Sequence, residues 1–271
     1  MALDVRRALQ AGYDDLTSTA GRNVFSVLLV FNVVSWSLIA SFRQQLIEVV
    51  RQGTLAQFTV VVVDVPLGWD ALLFDLPLSL LAVLAAATVL TAELIRFWAI
   101  RQFADLSIAP LPDRRERLPV LLGVGGGFAL ALFGLRRVLP ALWAGRGFET
   151  MALTAQVAGV VGLVLVGITV YLRQEIALTD AGPRRTVRDS IRRFLAEPVP
   201  ILGLLALLGL LALLGSLPAL VAEYAAVGTV LGVPVIPMAE LVVVVLGAAL
   251  STFSIATITD AYVQIRGGQF R

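Results

Sequence analysis

Six stretches of almost unbroken apolar residues, separated by polar connections, set the frame of this chain. They run over about 23–41, 72–92, 118–135, 151–172, 199–217 and 236–259. At 1.5 Å rise per residue the first makes a helix of about 29 Å, against a bilayer hydrocarbon core of about 30 Å. Its apolar core is longer than that of a signal peptide and no small-residue cleavage site follows, so it is expected to stay as an anchor. The pattern predicts an all-α fold, a polytopic transmembrane bundle of about six spans, with residues 1–271 forming one integral membrane domain.

The connections are patterned too. Val5, Leu9, Tyr13 and Leu16 form one apolar stripe near the start, with Arg6, Arg7, Asp14 and Asp15 off it. Val187, Ile191, Phe194 and Leu195 form a second, surrounded by Arg184, Arg185, Arg188, Arg192 and Arg193. Both predict amphipathic helices lying in the headgroup region on the cytoplasmic side. Thr186 and Asp189 stand in the spacing of a capping box, which predicts a helix start at Thr186. In the longest connection Phe42, Leu46, Val49 and Val50 recur at helical spacing, and Phe58 to Val63 reads as an extended β-branched run. That connection is too short for a domain with its own core. Pro218 is expected to mark the exit of the fifth span, and the apolar stretch from Ala219 to Pro234 to form a half-helix at the interface or a re-entrant segment.

Charge gives these spans an orientation. All 21 basic residues are arginine, and 16 of them fall at the two termini and in the second and fourth connections, against 5 in the other three. By the positive-inside rule both termini are cytoplasmic, in the cell membrane. With 58% hydrophobic and 15% charged residues the chain is more apolar and less charged than soluble domains, which are about 45–50% apolar and about 25% charged. The net charge of +2 reflects the arginine excess on one side, which suits an anionic leaflet and not a nucleic acid. Histidine, cysteine and lysine are absent. Disulfides, thiolate or imidazole metal ligation, Ser-His and Cys-His nucleophile pairs and Schiff-base lysines are therefore excluded, and no cofactor motif is present.

The remaining polar groups sort by depth. Asp75, Glu93, Glu240 and Asp260 are expected near span ends, where pairing and snorkelling are easy, with Arg96 three residues after Glu93. Asn32, Ser35, Ser37, Gln156 and scattered threonines are the mid-span polar residues, expected to bond to neighbouring helices. Gly123 and Gly127 make a GxxxG pair, and Ala155/Gly159 and Ala158/Gly162 make similar small pairs, which predict close helix approach. The arginines at 184, 185, 188, 192 and 193 are the candidate contacts for lipid headgroups.

The opening MALDVRRALQAGYDDL, the segments AIRQFADLS and DRRERLP, YLRQEIALTDAG and the closing ATITDAYVQIR resemble an uncharacterised multi-span membrane protein family of halophilic archaea. That family is similar to the membrane domain fused to some glycerophosphodiester phosphodiesterases. Relatives carry a tryptophan and Gly-Asn where this chain has Phe194 and Glu197-Pro198. The resemblance implies a helical membrane bundle and carries over no catalytic residue. The expectation is a non-enzymatic membrane protein that organises or contacts anionic lipid or supports a membrane partner or a second copy of itself. The alternative is a permease or channel component for a small solute.

Overall fold

The computed structural model describes residues 3–54, 74, 76–104, 111–139, 148–224, 229–230 and 233–268. Among them, six helical segments are long and apolar enough to cross a membrane: Thr19–Leu46, Leu78–Ala104, Arg114–Arg136, Gln156–Leu178, Pro198–Pro218 and Leu241–Arg266. The chain is a multi-pass membrane protein with an all-helical bundle. Its outer surface is what lipid requires, since Val160, Leu163, Val164, Leu210 and Leu213 stand exposed along the fourth and fifth spans.

Helix α1 (Val5–Thr17) begins where Asp4 accepts a hydrogen bond from the Arg7 amide, closing one of the free N–H groups of the first turn. It ends at Ser18, whose extended backbone turns the chain and whose hydroxyl accepts from the Gly21 amide. Helix α2 (Thr19–Thr54) then runs without a break through the first span. The helix expected from Phe42 to Val50 is thus the continuation of that span. Phe42 and Leu46 pack with Leu81 and Ala85, and the rings of Phe42 and Phe133 lie 6.1 Å apart. The expected strand from Phe58 to Val63, and Asp75, lie outside the described residues.

Helix α3 (Leu78–Ala104) forms the second span and extends well past the expected end at residue 92. The third span is composite. Helix α4 (Arg114–Val120) contains Pro119, whose missing N–H breaks the regular ladder, and a π-helical segment Leu121–Gly126 follows. Helix α5 (Gly127–Phe133) and a second π-helical segment, Gly134–Val138, complete it. The GxxxG expectation is corrected here. A Cβ on Gly123 or Gly127 would meet nothing within 4 Å, whereas one on Gly126 would come 2.6 Å from Leu90 Cδ2. The close approach uses the glycine one residue away, because Gly125 and Gly126 are the buried pair.

The fourth span is broken. Helix α6 (Phe148–Ile168) ends, a turn covers 169–171, and helix α7 (Leu172–Leu178), almost wholly buried, follows. After a short connection comes α8 (Pro183–Ala196). Helix α9 (Pro198–Tyr224) carries the fifth span, which ends at Pro218 as expected, while the helix itself continues to Tyr224. The Ala219–Pro234 stretch is therefore helical as far as Tyr224, and a two-residue antiparallel pairing, β1 (Thr229–Val230) with β2 (Val233–Pro234), precedes α10 (Val235–Gly268).

Helix α1 packs along the last turns of α10. Gly12 permits this, since any Cβ there would collide with the Thr257 side chain. The Asp4 amide donates to Gln264 Oε1 at 3.1 Å, so the start of α1 and the last turns of α10 lie at one end of the bundle. The largest buried cluster sits there as well, with Phe97, Ile100, Tyr171, Ile176, Ile201 and Tyr262 among its members.

Candidate functional site: an arginine-walled cleft around α7

The break after Ile168 makes the site. Seven residues of α7 follow it, and all but Arg173 are buried. A helix end in an apolar interior leaves its last carbonyls without partners. Here arginines from three different spans supply them. Arg117 Nε donates to the Ile176 carbonyl at 3.0 Å, Arg101 Nη1 to Ala177 at 3.3 Å and Arg266 Nη1 to Leu178 at 3.0 Å. Arg117 Nη1 also reaches the Ala181 carbonyl at 2.8 Å. Positive charge at a helix C-terminus is favourable as well. A guanidinium has five donors spread in a plane, so one side chain can serve two carbonyls where an ammonium would serve them poorly.

Three successive residues of α7 then point in different directions, about 100° apart on a helix of 3.6 residues per turn. Arg173 meets Glu93 in a two-point pairing, Nε to Oε2 and Nη2 to Oε1, both at 2.8 Å. Arg96 Nη1 also donates to Glu93 Oε1, at 2.6 Å. Glu93 has 0% of its side chain exposed. Glu93 pairs with Arg96 as its spacing suggests, α3 continues for 11 residues beyond it, and the carboxylate survives burial in the protein because two guanidiniums hold it.

Glu175 turns the other way and takes an ion pair from Arg193 Nε. The Arg193 guanidinium also lies 5.1 Å from the centre of the Tyr262 ring, a cation–π contact. Tyr262 packs on Tyr171 with ring centroids 5.7 Å apart.

Gln174, between them, faces a cleft of about 380 Å³. Its side chain is buried, with 3% of the residue exposed, and its amide oxygen has no hydrogen-bond partner among the described residues. Arg96 and Arg173 are the charged groups on the cleft wall, and Asn32, Ser216, Ser251 and Ser254 are its other polar side chains. Leu28, Phe31, Val243, Leu250 and Ile258 supply apolar lining. From Val243 to Ile258 the cleft follows α10 for about 22 Å at 1.5 Å per residue, with its cationic end beside α7.

The five arginines singled out from the sequence divide. Arg184, Arg185, Arg188 and Arg192 are exposed on α8, with Arg185 73% and Arg188 76% exposed. Both approach Asp189, at 3.3 and 3.9 Å. Arg193 is only 14% exposed and belongs to the Glu175 pair, so it is not on the outward face. The start of α8 is corrected as well. The helix begins at Pro183, suited to a first helical position by its fixed φ and absent N–H. Thr186 is inside it, fully buried, and its hydroxyl donates to the Ala181 and Gly182 carbonyls at 3.1 Å. The buried face of α8 is Thr186, Ser190 and Arg193 with Val187 and Phe194 packed against the bundle core. The apolar stripe therefore faces protein, leaving Leu195 exposed.

Ser35 and Ser37 donate to the carbonyls of Asn32 and Val33 in their own helix and bond to no neighbouring helix among the described residues. Gln156 is exposed. Sequence reasoning counted Arg101, Arg173 and Arg266 only as topology signals. The run Arg173-Gln174-Glu175 directly after an apolar span was the one available sign of a polar interior. No family model, curated protein or solved structure matches the chain.

Proposed function

We propose that this protein binds anionic membrane lipid inside its own bundle, holding the headgroup at Arg96 and Arg173, and that it does so without catalysing a reaction. One observation carries the reading: two guanidiniums share a single carboxylate, Glu93, and the remaining positive charge faces an elongated cleft. Glu93 uses three of their N–H donations, so further donors remain for an anion. An unbalanced charge in a low-dielectric site attracts a counter-ion far more strongly than the same charge in water. The cleft's length and apolar lining suit the chain of an amphiphile.

The exposed arginines of α8 support the same reading at the surface. Each cation near an anionic leaflet contributes about 1 kcal/mol. In this orientation the end bearing both termini faces the cytoplasm of the cell membrane, in keeping with the arginine bias. A membrane protein partner or a second copy of the chain would dock on the lipid-facing spans. Asn32, Ser216, Ser251 and Ser254 along the cleft favour a second reading, passage of a small solute. A flux assay in proteoliposomes tests it.

Native mass spectrometry of the protein extracted from a membrane of mixed composition tests the first. Wild type should retain anionic lipid in preference to zwitterionic lipid, and Arg96→Gln, which keeps the Glu93–Arg173 pair, should reduce that retention. Equal retention of both lipid types by wild type contradicts the proposal.

A further inference from the structure

Three polar side chains of the cleft stand where the bilayer is deepest. Asn32 lies at the middle of the first span, and Ser251 and Ser254 straddle the middle of the sixth. Asn32 Nδ2 is 3.9 Å from the place a Cβ on Gly247 would take, so the amide stands against α10 one turn before Ser251. All three residues line the cleft, and none of their side chains makes a hydrogen bond among the described residues. Their polar atoms are accessible from the cleft, unlike the sealed amide oxygen of Gln174. Other hydroxyls of the bundle behave differently: those of Ser41, Thr88, Thr252 and Thr259 each donate to the carbonyl four residues earlier in their own helix. That local bond is how a hydroxyl is satisfied in hydrocarbon.

An acyl chain beside Asn32, Ser251 and Ser254 would offer them nothing to bond. Water and small polar solutes do, and a cleft with several polar groups on its wall is the kind that holds water. The strip from Gly247 to Ser254 extends for about 10 Å along α10 at 1.5 Å per residue. The cleft has a direction as well. It starts at Val243 and Ser216, each two residues from the span end at Leu241 or Pro218, and finishes at Arg96 and Arg173. The last turns of α10 lie beside the start of α1, so the mouth is towards the opposite face of the membrane. The floor carries the charge: Glu93, Arg96 and Arg173 together leave one net positive charge, and no other charged side chain lines the cleft among the described residues. A cleft with walls of low dielectric and charge of one sign concentrates the opposite ion.

We infer that the cleft is a water-filled vestibule, entered from the face opposite the termini, that leads a small singly charged anion past Asn32, Ser251 and Ser254 to Arg96 and Arg173. This rests on the second reading above, a small solute in the cleft, and gives that solute its size and charge. The lipid reading does not depend on it.

The chain has no cysteine, so single cysteines report water directly. Ser251→Cys and Ser254→Cys are made in the full chain and labelled in membranes, lipid in place, with an anionic and a cationic methanethiosulfonate. Both positions should react, and the anionic reagent should be at least about fivefold faster once the two are normalised to a free thiol. Reaction is expected from the face opposite the termini only. Val160→Cys, exposed on the outer surface of α6, should stay unreactive. Nitrate should slow the anionic reagent at both positions, with ionic strength held constant. Arg96→Gln in the same background should bring the two reagents to within about twofold while both still react. Asn32→Cys carries the test if a serine variant melts early. Unreactive cysteines in variants that melt as wild type overturn the vestibule, as does reaction from the termini side alone. Labelling that appears only after lipid is stripped by detergent overturns the small-solute reading with it and assigns the cleft to lipid. Equal labelling by the two reagents, or no slowing by nitrate, overturns the anion assignment alone. Labelling as expected without nitrate flux in proteoliposomes overturns passage and leaves the vestibule as an anion-binding site.

Discussion

Helices α7 and α8 are joined by four residues, yet they use arginine in opposite ways. Helix α7 collects it: Arg101, Arg117 and Arg266 come from three spans to its carbonyl end, and Arg193 reaches its Glu175. Helix α8 presents it, with Arg184, Arg185, Arg188 and Arg192 on the outward face. The same positive-inside bias produced both sets. One set stabilises a buried helix end that apolar side chains could not satisfy, whereas the other interacts with whatever lies outside the bundle. Burial decides the difference, since a buried guanidinium that loses its partner is costly and an exposed one is nearly neutral.

Substitutions at the buried set should have the largest effects. Glu93→Gln leaves Arg96 and Arg173 without a counter-charge beside the cleft; breaking a fully buried pair typically costs about 3–5 kcal/mol, and solvent reaching the two part-exposed guanidiniums reduces the cost here. A large fall in melting temperature in detergent is expected. A melting temperature equal to wild type would mean that solvent already screens these arginines. Next, Arg117→Gln strands the Ile176 and Ala181 carbonyls, and each unsatisfied buried acceptor costs about 1–3 kcal/mol. Arg188→Gln on α8 should stay within about 0.5 kcal/mol of wild type, as exposed substitutions do. Similar losses from the two changes would erase the distinction between the helices.

A pair of neighbouring glycines sharpens the same contrast without charge. Gly126→Leu drives its side chain into Leu90 and is expected to cost about 1–3 kcal/mol by overpacking. Gly127→Leu points into open space and should be close to neutral. Equal destabilisation would place the third span in a different rotation about its axis.

The smallest effect concerns Asp15 on α1. Burial first, then the neighbouring carboxylates Asp260 and Asp14, hold its pKa above the ordinary 3.8. The folded protein thus binds that proton more tightly than the unfolded chain does. Stability is lowered at pH values above the raised folded pKa, and the penalty fades as the pH falls through it towards 3.8. Asp15→Asn should therefore stabilise the protein slightly at neutral pH, with the gain shrinking on acidification. A variant less stable than wild type at neutral pH would assign the Asp15 charge a favourable contact instead.

The six spans were legible because lipid imposes a length and an apolarity that the residues record directly, and about six spans is what the structure shows. The interior was not legible, for reasons visible at single residues. Glu93 lay close to the end of an apolar run, but α3 continues through Arg96 and Arg101, the first paired with Glu93 on the same helix and the second donating to the Ala177 carbonyl of α7. Thr186 had the spacing of a cap, but Gly182 and Pro183 start the helix one turn earlier and the threonine turns inward. Gly123 and Gly127 had the spacing of a contact motif, but the proline-disturbed, π-helical third span rotates the contact face onto Gly125 and Gly126. The break at 169–171 has no proline or glycine to announce it. Only the partners of Arg173 and Glu175, both distant in sequence or in another element, explain where the chain goes next.

The lipid that accompanies the purified protein through a high-salt wash tests the account most directly. Salt screens exposed charges and spares buried ones. Wild type should lose lipid held at α8 and keep a tightly held anionic lipid. A variant with Arg184, Arg185, Arg188 and Arg192 changed to glutamine should keep that same lipid, and Arg96→Gln should lose it. Retention of the salt-resistant lipid by Arg96→Gln, with loss from the four-arginine variant, would contradict the assignment of the cleft as the binding site.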